Sequence, residues 1–256
     1  MSGILDLFSL DGKRALITGA SRGLGRSMAI ALAEAGAGVG CVSSKPGGCA
    51  ETISQIRIIG CKAWEFDADL YDPKATMRMA EKARDTMGDV DILINNAGTI
   101  RRTAAADYSM DDWDVVMRTN IDSAFILSQF FGKLMVDRGH GKIINVASLL
   151  AFSGGITVPA YAASKHAIAG LTKSLANEWA QFGVNVNAIA PGYFETDNTK
   201  ALRADKKRSE EILARIPVKR YGDPREIGGA AVFLSSAASD YVNGHVLVVD
   251  GGWMAR

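Results

Sequence analysis

Short apolar runs rich in valine and isoleucine alternate along this chain with longer stretches of helical periodicity. The runs are apolar without strict alternation, which is typical of strands buried on both faces, and the intervals between them are long enough for crossover helices. The pattern therefore predicts the α/β class, with a doubly wound parallel sheet wrapped by helices on each side. The predicted strands are residues 14–18, 38–43, 63–66, 91–95, 142–147, 184–190 and 245–249.

The composition is that of an ordinary globular protein. The chain has 256 residues, of which 48% are hydrophobic and 22% charged, and its formal net charge is +1. This length suits a single domain over residues 1–256, and the lack of a basic excess argues against nucleic-acid binding. We expect a cytoplasmic protein with no membrane partner, because no apolar run is as long as a membrane span and no signal peptide is recognisable. Cys41, Cys49 and Cys61 lack metal-ligand spacing, so we expect neither disulfides nor a metal.

A glycine-rich segment follows the first predicted strand and leads into a helix with an apolar face. Glycines permit a tight turn and a close approach of the backbone to a pyrophosphate, whose charge is favoured at a helix N-terminus. The spacing also occurs in plain strand-to-helix turns, but its position after the first strand favours dinucleotide binding. The predicted binding residues are Gly19, Ser21, Arg22, Gly23, Leu24 and Gly25.

The second predicted strand ends without the acidic residue that usually binds the ribose hydroxyls of NAD. The residues there are Ser43, Ser44 and Lys45. Together with Arg22, their hydroxyl groups and ammonium could hold a ribose phosphate through charge-assisted hydrogen bonds. We therefore favour NADP(H) as the cofactor, with NAD(H) as the alternative if Lys45 is simply a solvated loop residue.

Two further loops are candidates for the adenosine side of the cofactor. Asp69 follows the third strand with Leu70, and its carboxylate could accept from the adenine amino group or be merely solvated. Asn96, Ala97 and Gly98 follow the fourth strand, where small residues would let the cofactor pass close.

Tyr161 and Lys165 stand four residues apart in a predicted helix, so their side chains project from one face. An ammonium beside the phenol would lower its pKa from about 10 toward the working range of an acid-base group. In isolation, such a pair is more often a half-buried ring beside a solvated lysine stem.

Taken in order, these segments resemble the short-chain dehydrogenase/reductase family over essentially the whole chain. The resemblance implies a Rossmann-type domain with seven strands flanked by helices, assembled as a homodimer or homotetramer. Apolar residues on the helices around residues 112–131 and 161–179 are compatible with such an assembly. The matching positions are Thr18 to Gly25, Asn95 to Gly98, Asn120, Ser148, Tyr161, Lys165, Pro191 and Gly192.

The resemblance also implies a role for each of these side chains. Tyr161 would be the general acid in reduction and the general base in oxidation, with Lys165 lowering its pKa and binding the nicotinamide ribose. Ser148 would hydrogen-bond the substrate oxygen, and Asn120 would hold a water in a proton relay. The alternatives are a helix cap for Ser148 and a buried amide for Asn120.

A third set of residues would meet the nicotinamide end of the cofactor. The resemblance places Pro191, Gly192 and Thr196 there, with Thr196 near the carboxamide. The alternative for Thr196 is a turn hydroxyl.

Within the family, the chain resembles members that interconvert a keto group and a secondary alcohol on a sugar acid. A carboxylate substrate needs a cationic partner, and Arg101 and Arg102 follow the fourth strand. We predict that Arg102, Ser148 and Tyr161 bind the substrate, while two exposed arginines are the plain alternative. Residues 200–226 carry nine lysines and arginines against five acids, which could steer an anion inward or form a solvated helix surface.

Three other functions are alternatives to an oxidoreductase of sugar acids. The glycine turn and the missing ribose acid also resemble 3-oxoacyl-carrier-protein reductases, which use NADPH. A non-catalytic nucleotide-sensing protein would not need the four proton-relay positions, all of which are occupied. A serine hydrolase is disfavoured because Ser148 lacks a nucleophile elbow and no histidine stands in a triad context.

Overall fold

Seven parallel strands form one sheet in the computed structural model of the protein, which describes residues 3–256. The predicted doubly wound parallel sheet is confirmed, and each predicted strand bound lies within one residue of the observed one. The strands are β1 (Arg14–Thr18), β2 (Gly38–Ser43), β3 (Ala63–Asp67), β4 (Ile92–Asn95), β5 (Gly141–Val146), β6 (Val184–Pro191) and β7 (Val246–Val249). Their order across the sheet is β3-β2-β1-β4-β5-β6-β7.

Helices fill the intervals between the strands. The α-helices are α1 (Gly23–Glu34), α2 (Ala50–Ile59), α3 (Pro73–Met87), α4 (Met110–Met117), α5 (Ser123–Arg138), α6 (Pro159–Trp179), α7 (Asp197–Ala204), α8 (Lys206–Arg215) and α9 (Glu226–Ser235). A π-helical turn, Arg118–Asp122, joins α4 to α5. Short 3-10 segments are Ile4–Phe8, Ala105–Asp107, Leu149–Ala151, Ala180–Phe182, Ala237–Ser239 and Trp253–Ala255. No helix within residues 3–256 is both long enough and apolar enough to cross a membrane.

Apolar packing on both faces explains why the strands lack alternation. Leu16 and Ile17 are neighbours on β1, so their side chains point to opposite faces of the sheet, yet both are fully buried. Ile17 packs in the core beneath α1 and α9, with Met28 and Ile227. Leu16 packs in the core beneath α3, α5 and α6, with Phe131. A strand covered on both sides needs apolar residues at every position.

The strand order places the functional edge of the sheet. Because β1 lies between β2 and β4, the chain crosses from one half of the sheet to the other after β3. Loops on the two sides of this crossing diverge, which leaves a crevice at the carboxyl ends of the strands. The loops after β1, β4, β5 and β6 therefore meet at one edge.

Candidate functional site

The loop between β1 and α1 is a tight glycine turn. Gly19 and Gly23 have φ angles of 67° and 55°, in the left-handed region that side chains disfavour. A Cβ on Gly19 would lie 2.9 Å from Nδ2 of Asn96. That Nδ2 donates to the carbonyl oxygens of Thr18 at 2.9 Å and Gly19 at 3.1 Å. The motifs after β1 and β4 therefore pack as one unit, and glycine is required where they touch.

The N-terminus of α1 opens into a cleft of about 1230 Å³ at this edge of the sheet. Arg22 occupies the N-cap position without a capping side-chain hydrogen bond, so the first-turn amides and the positive helix end are available to an anion. These features fit the pyrophosphate of a dinucleotide. The predicted cofactor residues that line the cleft are Gly19, Ser21, Arg22, Gly23, Leu24, Gly25, Ser43, Ser44, Asp69, Leu70, Asn96, Ala97, Gly98, Tyr161, Lys165, Pro191, Gly192 and Thr196.

Tyr161 and Lys165 lie one turn apart near the start of α6 and both line the cleft. Tyr161 is half-buried, whereas only 4% of Lys165 is exposed. Lys165 Nζ donates to the carbonyl oxygen of Val146 at 2.7 Å and lies 5.5 Å from the centroid of the Tyr161 ring. The ammonium is thus held by the end of β5, beside the phenol.

Burial dominates the acid-base properties of this pair. Burial raises the pKa of Tyr161, and the neighbouring Ser148 hydroxyl and Arg102 guanidinium offset only part of that rise. Burial also lowers the pKa of Lys165 to about 8. Desolvation of the phenol outweighs the nearby charges, so the net shift is upward, and the predicted lowering of the Tyr161 pKa by Lys165 stays a prediction. A phenol that is protonated at neutral pH is the form that donates a proton.

Ser148 serves two purposes at the end of β5. Its Oγ accepts a hydrogen bond from the Leu150 amide at 3.2 Å and so caps the 3-10 segment Leu149–Ala151, as the plain alternative predicts. The same hydroxyl lines the cleft next to Tyr161. Since a hydroxyl has one proton and two lone pairs, accepting from Leu150 leaves the proton for a second partner.

Asn120 lies behind the cleft rather than in its lining. It is 2% exposed, within the π-helical turn between α4 and α5. Its Oδ1 accepts from the Thr99 amide at 2.7 Å, and its Nδ2 donates to the Thr99 carbonyl oxygen at 3.0 Å and to Ser164 Oγ at 3.0 Å. Asn120 therefore ties the loop after β4 to α6. Its water-holding role stays a prediction.

The end of β2 supplies only part of the predicted ribose-phosphate site. Ser44 is exposed and Ser43 is buried, and the Ser43 hydroxyl donates to the carbonyl oxygen of Lys45 at 2.8 Å. Lys45 itself is exposed and does not line the cleft, and its contact with the cofactor stays a prediction. Arg22 does line the cleft, and its Nη1 lies 3.4 Å from Oδ2 of Asp197 in α7. Ser44 and Arg22, whose guanidinium is paired with exposed Asp197, are thus the groups that line the cleft where a ribose phosphate would bind.

The loop after β3 forms the adenosine end of the cleft. Leu70 is 8% exposed and contributes an apolar surface there. Asp69 is exposed, and its Oδ1 accepts from the Tyr71 amide at 3.1 Å. A carboxylate has further lone pairs, so this contact leaves Asp69 able to accept from an adenine amino group.

The loop after β6 forms the opposite end of the cleft. The amide of Gly192, directly after Pro191, donates to the carbonyl oxygen of Val249 at 2.9 Å, which fixes the loop to β7. Thr196 precedes α7, and its amide donates to Thr199 Oγ1 at 3.1 Å. These residues line the same cleft as Tyr161, and their role at the reacting part of the cofactor stays a prediction.

The two arginines after β4 differ in their surroundings. Arg101 pairs with Asp112, with 3.3 Å between Nε and Oδ1, and lies outside the cleft lining. Arg102 lines the cleft and has no carboxylate within 4.0 Å anywhere in the described part of the chain. Of the two, Arg102 is the cation available to a substrate.

Several residues of the cleft were not predicted. They come from the loop after β6, from α7 and α8, and from the C-terminal 3-10 segment: Tyr193, Leu202, Arg208, Glu211, Ile212, Arg215 and Trp253. The only sequence signal for them is the positive surplus in residues 200–226. Within residues 3–256, no cluster of three or more histidine, cysteine, aspartate or glutamate side chains is arranged to hold a metal ion.

Comparisons with known proteins agree with this geometry. The family model described as short chain dehydrogenase matches residues 13–207. The 2-dehydro-3-deoxy-D-gluconate 5-dehydrogenase of Dickeya dadantii (strain 3937) is 52% identical over 257 residues, which cover 99% of this chain and all of the relative.

Two solved structures extend the similarity to three dimensions. One, from Agrobacterium tumefaciens with bound NADP and provisionally named a 2-deoxy-D-gluconate 3-dehydrogenase, is 52% identical with a TM-score of 0.92 over 98% of this chain and 100% of its own. The other is a gluconate 5-dehydrogenase from Burkholderia cenocepacia in complex with NADP and tartrate. It is 40% identical with a TM-score of 0.95 over 99% of this chain and 100% of its own.

Proposed function

This chain belongs to the short-chain dehydrogenase family and is an oxidoreductase, and on that premise we propose that it interconverts a ketone and a secondary alcohol on a sugar acid of the gluconate type. Its cofactor would be NADP(H). The observation that carries the proposal is a single cleft that joins the glycine turn, the Tyr161–Lys165 pair and an unpaired arginine. These three parts supply cofactor binding, a proton donor and positive charge for an acidic substrate.

The choice of NADP(H) rests on charge at the end of β2. No acidic side chain stands at residues 43–45, where a carboxylate would repel a ribose phosphate. Arg22 and Ser44 line the cleft and supply donors of the kind that bind phosphate oxygens. The two similar structures described above contain NADP, which supports the same choice.

The protein residues would organise the proton transfer. When bound, the cofactor supplies or accepts the hydride at the substrate carbon. In reduction, the Tyr161 phenol donates its proton to the carbonyl oxygen, to which Ser148 also donates a hydrogen bond. In oxidation, both transfers reverse, and the ionised Tyr161 accepts the hydroxyl proton. Lys165 would hold the nicotinamide ribose and stabilise the phenolate, since its ammonium is fixed beside the ring.

The sugar-acid substrate is supported by the charge of the cleft. Its lining carries five cationic side chains and three acids, and Arg102 has no acidic partner within 4.0 Å in residues 3–256. Arg102 is exposed to the open cleft, where its guanidinium can form bidentate, charge-assisted hydrogen bonds with the oxygens of an acidic substrate. The tartrate in the Burkholderia cenocepacia structure is also a hydroxy acid.

We extend the proposal to the setting of the enzyme. It would act in uronate catabolism as a cytoplasmic homotetramer or homodimer. All three cysteines are free thiols, which suits a reducing compartment. Light scattering coupled to gel filtration would measure the number of subunits, and a monomeric mass would contradict the assembly.

A direct test measures the oxidation of NADPH and of NADH with several carbonyl substrates. We expect efficient reduction of 5-keto-D-gluconate with NADPH, and oxidation of 2-dehydro-3-deoxy-D-gluconate in the reverse direction with NADP. A carrier-linked 3-oxoacyl substrate serves as the comparison for the fatty-acid alternative. Faster turnover of that substrate than of any sugar acid would overturn the proposed function.

A further inference from the structure

Arg215 stands at the end of α8 with its guanidinium stacked on an aromatic ring. Its Cζ lies 4.0 Å from the centroid of the Trp253 ring, and both side chains line the cleft. Such a stack holds a guanidinium in place while its N–H groups stay available at the edges. Arg215 has no carboxylate within 4.0 Å among the residues that the structure describes.

An apolar cluster packs against the Trp253 ring on which Arg215 is stacked. Ile212 on α8 and Ile216 directly after it are 2% and 1% exposed. They pack with Trp253 and Tyr193, whose ring centroids are 4.8 Å apart. The cluster joins α8 to the loop after β6 and to the C-terminal segment. Arg215 therefore rests on a packed apolar surface, which restricts the position of its guanidinium.

The neighbouring arginine of α8 has a different status. Arg208 also lines the cleft, but its Nη1 lies 3.1 Å from Glu211 Oε2, so its charge is already paired. Arg215 and Arg102 are the two lining arginines that lack such a partner within the described residues. The cleft thus presents two unpaired guanidinium groups, one after β4 and one on α8.

These two groups lie at different depths relative to the catalytic phenol. Arg102 belongs to the loop after β4, where a Cβ on Gly98 would lie 3.8 Å from Lys165 Nζ, one helical turn from Tyr161. Arg215 instead stacks on Trp253, in the cluster that holds Ile212 and Tyr193. In agreement with this placement, Arg102 lowers the pKa of Tyr161, and Arg215 is not among the groups that shift it. Arg215 therefore belongs to the wall of the cleft formed by α8 and the C-terminal segment, apart from the Tyr161–Lys165 pair. A substrate that places its ketone at Tyr161 would need a long carbon chain to bring a negative group to Arg215.

We propose that Arg215, positioned by Trp253, binds the carboxylate of an acyclic sugar acid whose reacting ketone lies toward the opposite end of the carbon chain, with Arg102 between the two ends. This rests on the proposed function and adds to it the residue that selects where along the acid the reaction occurs. In an acid whose ketone is adjacent to the carboxylate, these two groups would be too close together to reach Tyr161 and Arg215 at the same time.

The test compares one substrate with its uncharged counterpart. KM is measured at saturating NADPH for 5-keto-D-gluconate and for its neutral amide, in the wild type, Arg215→Ala and Lys207→Ala. Lys207 is the matched control, because it is exposed on the same helix, carries the same charge and does not line the cleft. We expect Arg215→Ala to raise KM for the acid roughly 10- to 100-fold, as for a lost charge-assisted hydrogen bond, and to leave KM for the amide within about 3-fold.

The control variant separates contact from long-range attraction. If Lys207→Ala raises KM for the acid as much as Arg215→Ala does, the effect is electrostatic steering and the inference is overturned. Equal rises for acid and amide in Arg215→Ala would also overturn it. Trp253→Leu should shift the acid-to-amide KM ratio in the same direction by a smaller factor, and an unchanged ratio would refute the positioning role of Trp253.

The wild type distinguishes this inference from the proposed function. If the wild type reduces no sugar acid, the proposed function fails and the inference with it. If the wild type prefers the acid and Arg215→Ala keeps that preference, the proposed function stands and only the role of Arg215 is refuted.

Discussion

Lys165→Met should change how the stability of the protein depends on pH, in the absence of nucleotide. Lys165 is 4% exposed, and burial lowers its pKa from 10.5 to about 8. Because about 1.4 kcal/mol corresponds to each pKa unit, keeping this ammonium charged in the folded state costs about 3 kcal/mol below pH 8. Methionine has a similar length and carries no charge to bury.

The direction of this pH dependence follows from the number of protons that the folded and unfolded states bind. Between about pH 8 and the ordinary lysine pKa, the unfolded chain holds a proton on Lys165 that the folded chain has released, so the free energy of unfolding rises with pH. From about pH 7 to about pH 9.5, this gain is about 2 kcal/mol in the wild type and is absent in Lys165→Met. Other groups titrate equally in both proteins and cancel in the difference.

Urea unfolding at several pH values measures this difference. We expect the stability advantage of Lys165→Met to shrink steadily as pH rises. Lys173→Met is the matched control, since Lys173 is exposed on the same helix, and its stability should run parallel to that of the wild type. Parallel curves for Lys165→Met and the wild type would refute the claim that this buried ammonium is strongly desolvated.

Two further predictions concern the cofactor and the core. Arg22→Ala should raise KM for NADPH roughly 10-fold or more, and KM for NADH little, because only NADPH carries the ribose phosphate. Asp197→Ala, which removes the partner of Arg22, should not weaken NADPH binding, and equal effects of Arg22→Ala on both cofactors would contradict the assignment. Asn95→Ala should lower the free energy of unfolding by about 2 kcal/mol, because Asn95 Nδ2 donates to Asn145 Oδ1 at 2.9 Å and to Ser128 Oγ at 3.0 Å in the core. Urea unfolding checks this, and an unchanged midpoint would count against it.

The strands could be predicted closely because a parallel sheet covered on both faces leaves a continuous apolar run in the sequence. Their order could not, since an apolar run carries no information about its neighbours. The helix pattern over residues 112–131 was also incomplete. The structure divides this stretch into α4, the π-helical turn Arg118–Asp122 and α5, and that turn buries Asn120. A single extra residue in a helical turn leaves the hydrophobic pattern almost unchanged.

Site residues that belong to short local motifs could be predicted from the sequence, and those that meet only through folding could not. The residues on the loops after β1, β4 and β5 could be predicted, because each belongs to a short motif beside a recognisable strand. Lys45 follows the same strand as Ser44 but does not line the cleft, since sequence position does not determine where a loop side chain points. Arg215 and Trp253 were missed because they lie 38 positions apart and meet only in the folded chain.

The pKa of Tyr161 shows why spacing alone does not determine chemistry. The four-residue interval correctly places Lys165 beside the phenol. The direction of the pKa shift depends on how much water each group loses, which the spacing does not reveal. In the folded protein, burial raises the pKa of the phenol and lowers that of the ammonium.

Tyr161→Phe tests the central claim, that the Tyr161 phenol is the proton donor of the reaction. The substitution removes the hydroxyl and keeps the ring that packs in the cleft. The decisive measurement is kcat for NADPH-dependent reduction of 5-keto-D-gluconate, together with the Kd for NADPH. The account predicts a fall in kcat of at least about 100-fold, as for loss of a general acid, with Kd changed by no more than a few fold. A variant that retains a substantial fraction of the wild-type kcat would contradict it.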